Sequence, residues 1–166
     1  MAVAFRARAL DEGGEVQVED QNGQTELMRA STEGHEEVVK RMLAGGADVN
    51  VQDKYRRTAL MLASLNNHGE VVQRLIAGGA SVNVQNKYGQ TALVWALVKG
   101  HGELAERLIA GGANVNVQDE DGQTALTRAS VEGHGEVAQT LIASGADVNV
   151  RDKNGQTALM LACIEG

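Results

Sequence analysis

The chain has 166 residues, a formal net charge of −7, 43% hydrophobic and 22% charged residues. That composition fits a globular chain long enough to bury a core and excludes a disordered one. The acidic balance argues against DNA or RNA as a partner, and no apolar run approaches the roughly 20 residues of a membrane helix.

Proline is absent, and the aromatics are Phe5, Tyr55, Tyr88 and Trp95. The single cysteine, Cys163, leaves no internal disulfide framework and no cysteine-based zinc site. It fits a reducing compartment, so an intracellular, cytoplasmic setting is expected, with the nucleus equally compatible. The opening MAVAFRARALDEGG has no apolar stretch of signal-peptide length.

In chain order, residues 1–19 fit the second half of a repeating unit. Phe5 to Asp11 lies in phase with Val38 to Ala44, and GGEVQVE at 13–19 answers GADVNVQ at 46–52. Whole units follow at 20–52, 53–85, 86–118 and 119–151, and 152–166 is the first half of another. The shift is 33 residues. It aligns Asp20, Asp53, Asn86, Asp119 and Asp152, and likewise Thr25, Thr58, Thr91, Thr124 and Thr157.

Each threonine is placed to cap a first helix, which is predicted to end at Gly34, Gly100 or Gly133, or at Asn67 in the second whole unit. A second helix follows, with Val38, Val39, Met42 and Leu43 forming one apolar stripe in the first whole unit. It stops at Gly46, Gly79, Gly112 or Gly145, and A-x-V-N-V then leads into the turn D-x-x-G. Arg56 stands where the other turns carry Gly23, Gly89, Gly122 or Gly155, and a locally altered turn is expected there. Recurring Ala30, Ala63, Ala96, Ala129 and Ala162 permit close helix packing.

A 33-residue period carrying T-x-L-x-x-A, G-H and L-I-A-x-G-A-x-V-N resembles the ankyrin repeat family over essentially the whole chain. The resemblance implies an all-α fold: one domain, 1–166, forming a solenoid of stacked helix-turn-helix units with β-hairpin-like loops. The family usually reads T-P-L-H. Here Glu26, Ala59, Ala92, Ala125 and Ala158 replace the proline, and Met28, Met61, Val94, Thr127 and Met160 replace the histidine. The family's usual loop tie is therefore missing, while the fold expectation stands. The resemblance also points to Asn50, Asn83, Asn116 and Asn149 as settings like those of asparagine hydroxylation, against a plain loop-bonding role.

The chemistry-bearing residues read as structural. His35, His68, His101 and His134 share one phase, about one helix spacing (roughly 8–10 Å) apart, too far to share a zinc ion. The repeated aspartates read as turn residues bonding nearby N–H groups. The glycine doublets lack a P-loop string. Cys163 occupies the slot of Ser31, Ser64 and Ser130 and reads as a small packing residue. No enzyme activity, cofactor or metal is expected.

A non-catalytic protein-interaction module is the leading expectation, with contacts on the concave face and loop tips that the resemblance implies. Candidate partner-binding residues are Lys54, Tyr55, Arg57, Lys87, Tyr88, Trp95, Lys99, Asp121 and Arg128. Units 53–85 and 86–118 carry +2 and +1, while 20–52 and 119–151 carry −3 and −4. A central aromatic-basic patch facing an acidic or amphipathic segment of a protein partner follows, with no nucleic acid and no membrane. The alternatives are an engineered or spacer scaffold without its own ligand, or a fragment of a larger ankyrin-containing protein. Leu159, Leu161 and Ile164 are expected to lack a cover, which favours end-to-end self-association.

Overall fold

The computed structural model describes residues 6–8 and 17–165, in two compact units, Met1–Ser81 and Val82–Gly166. The first unit contains strands β1 (Arg6–Arg8) and β2 (Gln17–Glu19) and helices α1 (Glu26–Glu33), α2 (Glu36–Ala44), α3 (Ala59–Leu65) and α4 (Gly69–Ala77). The second contains α5 (Ala92–Val98), α6 (Gly102–Ala110), α7 (Ala125–Val131), α8 (Gly135–Ala143) and α9 (Ala158–Glu165). The expected all-α class of stacked helix pairs holds, and the first helices recur at the 33-residue interval.

Each first helix begins because a threonine satisfies an otherwise orphaned backbone donor. The hydroxyls of Thr25, Thr58, Thr91 and Thr124 accept from the N–H groups of Met28, Met61, Val94 and Thr127 at 3.2, 3.4, 3.5 and 3.3 Å. At the last of these, the Thr127 hydroxyl also accepts from the Thr124 N–H at 3.2 Å, a reciprocal capping box. Thr127 thereby ties its own loop, a job the family gives to histidine. The turns between helices use the left-handed conformation expected of them, with φ of 75° at Gly34 and 59° at Asn67.

Within the first unit α1 packs on α3 and α2 on α4; within the second, α5 and α9 pack on α7 and α6 packs on α8. Leu27, Met28, Leu60, Met61 and Leu75 are fully buried, as are Leu93, Leu97, Leu104, Leu108 and Leu141. Each such leucine stabilises by about 1.5–3 kcal/mol relative to exposure. Ala30, Ala63, Ala96 and Ala129 are also buried and leave room for the close approach, while Ala162 is partly exposed. Arg74 of α4 also donates to the Glu36 carboxylate of α2. That hydrogen bond, with the charges of Glu36, Glu37 and Glu70, raises the guanidinium pKa above its usual value against the opposing effect of desolvation.

The extended loops are stitched by asparagine. In the first unit Asn50 donates to the Gly79 carbonyl at 3.1 Å and accepts from the Ser81 N–H at 2.8 Å. In the second, Asn83 does the same to Gly112 and Asn114, and Asn116 to Gly145 and Asp147. Both ends of each carboxamide are therefore used in loop bonding.

Two sequence expectations are corrected. Arg6–Arg8 forms an antiparallel pair with Gln17–Glu19, in register Arg6 with Glu19, where a helical half-repeat was expected. The alternating GEVQVE is itself a strand pattern, and it claims the preceding segment as its partner. Phe5 and residues 9–16 lie outside the described residues. The turn at Arg56 is not altered: Arg56 adopts φ 60° and donates its N–H to the Asp53 carbonyl at 2.8 Å, as Gly23 does to Asp20 at 3.0 Å. The buried Asp53 carboxylate accepts from the N–H groups of Tyr55 and Arg57, both at 2.9 Å, and these bonds hold the backbone against the strain.

Arg56→Gly therefore stabilises the chain by about 1 kcal/mol, read as a higher urea midpoint at unchanged slope. Asn83→Ala removes two loop bonds and destabilises the chain by about 1 kcal/mol, a loss limited by solvent exposure and read as a lower urea midpoint.

Candidate functional site

The loop tips are built on one repeated device. An aspartate or asparagine side chain accepts two backbone N–H groups and freezes the turn. Asp20 Oδ1 takes Asn22 and Gln24 at 2.7 and 3.0 Å, Asn86 Oδ1 takes Tyr88 and Gln90 at 2.8 and 3.0 Å, and Asp119 Oδ1 takes Asp121 and Gln123, both at 2.9 Å. The turn-bonding role read from the sequence is thus what these residues perform.

Successive tips are also joined through the backbone. In the first unit the Lys54 N–H donates to the Asn22 carbonyl at 2.9 Å. In the second, Glu120 donates to Tyr88 at 3.0 Å and Lys153 to Asp121 at 2.9 Å. With the main chain held this way, the conformation of each tip does not depend on most of its outward side chains.

In the first unit two cations approach the Tyr55 ring: Lys54 Nζ is 5.0 Å and the Arg57 guanidinium carbon 4.9 Å from its centre. Lys54 also donates to the Asn22 side chain. Arg57 is committed elsewhere as well. Its Nε and Nη2 both reach Asp53 Oδ2 at 2.6 Å, and the Asp53 side chain is 0% exposed. Arg57 was read from sequence as a partner-facing cation, and the structure gives it a second duty as the counter-ion of a buried turn aspartate.

In the second unit Lys87 Nζ sits 4.7 Å from the Tyr88 ring centre, and Tyr88 is 51% exposed. Trp95 on α5 is half-buried, and its indole N–H donates to Gln90 Oε1 at 3.0 Å. Lys99 closes α5 and is exposed. Asp121 is exposed at its own tip, while Arg128 on α7 reaches Asp119 Oδ2 at 3.5 Å. The structure therefore groups Lys54, Tyr55 and Arg57 at one tip, and Lys87, Tyr88 and Trp95 about another with Lys99 at the far end of the same helix.

His68 Nε2 meets the carbonyl of Thr32, in the last turn of α1, at 3.0 Å within the first unit. Among the described residues no three His, Cys, Asp or Glu side chains converge as a metal site, and no helix is long and apolar enough to cross a membrane. Cys163 is exposed on α9, not packed like the fully buried Ser31 and Ser64. Ser31 is buried because α3 lies on α1, whereas among the described residues no first helix lies beyond α9.

A family model of ankyrin repeats, in three copies, matches residues 6–86 and 60–152. The chain belongs to the ankyrin repeat family. No curated protein matches the sequence. Ankyrin repeats are generally protein–protein interaction modules and typically non-catalytic.

The second duty of Arg57 separates it from its neighbour. Arg57→Ala strips a buried carboxylate of its cation but leaves its two backbone donors, costing about 2 kcal/mol of stability. Lys54→Ala, at an exposed tip, stays within about 0.5 kcal/mol of the parent. Paired urea titrations with both variants check the contrast.

Proposed function

We propose that this ankyrin-repeat chain is a non-catalytic interaction module whose loop tips and first helices bind an acidic or amphipathic segment of a protein partner. The observation that carries the reading is the stacking of a tip cation on a tip tyrosine, Lys54 on Tyr55 and Lys87 on Tyr88, over a backbone already fixed by hydrogen bonds. A preordered aromatic ring loses little conformational freedom on binding, and tyrosine, tryptophan and arginine dominate binding hot spots. An ammonium beside an aromatic face suits a segment that alternates carboxylates with apolar side chains.

On this reading Tyr55 and Tyr88 supply apolar contact, Lys54, Lys87 and Lys99 supply charge, and Trp95 widens the apolar area of the second unit. Arg57 and Arg128 hold their turn aspartates and extend the basic surface, and Asp121 discourages acidic chains from running on past its own tip.

Selection from a random peptide-display library on the intact chain provides the ligand. Enrichment of sequences rich in Asp or Glu with interspersed aliphatic residues is the expected result. Tyr55→Ala and Tyr88→Ala then each weaken binding about tenfold or more, and Lys87→Glu weakens it further and flattens its salt dependence. Enrichment without acidic residues, or variants that fold and bind like the parent, overturns the reading.

A further inference from the structure

One exposed cation stands where the fold asks for none. Arg56 sits at φ 60°, in the turn position that Gly23, Gly89, Gly122 and Gly155 occupy with φ between 74° and 77°. The turn uses only the backbone N–H of this residue, which donates to the Asp53 carbonyl at 2.8 Å, and the four glycines make the same bond at 2.9–3.1 Å. The side chain adds nothing to the fold. Arg56 is exposed, and among the described residues its guanidinium makes no hydrogen bond, ion pair or ring contact. A Cβ in the left-handed region is strained, and strain of this kind clusters at binding sites, where the side chain it presents is used.

The neighbours define what that guanidinium can meet. The two adjacent cations are already engaged: Lys54 donates to the Asn22 side chain and lies over the Tyr55 ring, and Arg57 holds Asp53 from beside the same ring. The backbone on either side of Arg56 is pinned, since Asp53 Oδ1 accepts from the N–H groups of Tyr55 and Arg57, both at 2.9 Å. Lys54, Arg56 and Arg57 against Asp53 leave this turn with a net charge of +2, where residues 86–90 carry +1 and 119–123 carry −3. The most basic turn thus presents an uncommitted planar fork on a fixed support. A guanidinium matches the two oxygens of a carboxylate in one plane and binds both.

We infer that Arg56 is a specificity-determining residue of the partner site, taking the carboxylate of one Asp or Glu side chain beside the apolar contact that Tyr55 provides. This rests on the reading of the loop tips as the site of an acidic segment, and it narrows that segment to one with a fixed carboxylate next to an aliphatic residue. The contact belongs to the 53–57 turn alone, because glycine holds this position in the other four. Arg56 then lowers stability and raises affinity at once, a pairing that a structural role does not produce.

Two selections from one random peptide-display library test this, one on the intact chain and one on Arg56→Asn. Asparagine tolerates the same backbone conformation, so the turn is kept while the guanidinium is lost; an unchanged circular dichroism spectrum and urea midpoint check the fold. The parent should enrich peptides with Asp or Glu fixed at one position, and the variant should lose that preference. For the strongest peptide, Arg56→Asn and Arg56→Gly each weaken binding about tenfold or more, although Arg56→Gly is the more stable protein. Arg56→Lys restores only part of the affinity, since an ammonium keeps the charge but not the fork. Changing the peptide's fixed carboxylate to its amide weakens binding to the parent by a similar factor and leaves binding to Arg56→Asn nearly unchanged, which couples the two groups directly. The same acidic position enriched on both targets, or an amide substitution with equal effect on both, overturns this inference and leaves the broader reading standing. Absence of acidic enrichment on the parent overturns both.

Discussion

No helix among the described residues is longer than nine residues, and a helix of that length does not hold by itself in water. Everything else in the chain follows from this constraint. Within each unit, every helix has a face buried against an equivalent helix of a neighbouring repeat, with leucine supplying area and alanine allowing approach. A repeat is therefore stable only through its neighbours, and its sequence must carry both halves of every interface. The recurrence of Leu, Ala, Thr and Gly at fixed phase is the record of that requirement.

The same constraint separates positions that must be kept from positions that are free. A turn aspartate or asparagine accepting two N–H groups, an asparagine carboxamide bridging to the next loop, and a threonine capping each first helix together account for the backbone between helices. Once these are in place, the residues at the tips have no packing to do. Arg57 shows how the two roles overlap. It touches the Tyr55 ring with one face and neutralises the buried Asp53 carboxylate with its edge, in the one whole unit whose turn glycine has become arginine. The strained Arg56 and the added ion pair at Arg57 sit side by side, so the second offsets part of the cost of the first.

The helices, their caps and the left-handed positions, including Asn67, were legible in the sequence because each depends on residues within a few positions of itself. What escaped was set by competition or by distance. The turn at Arg56 was expected to distort, since sequence alone weighs only the intrinsic cost of φ 60° and not the two amide bonds to Asp53 that oppose it. The pairing of Arg6–Arg8 with Gln17–Glu19 was hidden by a helical phase match that applied to the first segment but not to the alternating second. Cys163 was assigned to packing by analogy with Ser31, but α3 covers Ser31 whereas no helix follows α9 among the described residues. At the candidate site, the repeat register placed the tip residues in their turns, but the bond from Trp95 to Gln90 and the double role of Arg57 needed side-chain geometry.

A repeat chain thus has two kinds of surface, and they obey different physics. The tips present what the fold does not need, so their affinity for a partner is set by a few aromatic and charged side chains and falls as salt screens the lysines. The faces between helices within each unit present what the fold does need, the apolar contacts that hold each second helix in place, and these are nearly indifferent to salt. Ionic strength and urea are therefore separate handles on the two surfaces: the first screens the tips, and the second opens the faces between helices.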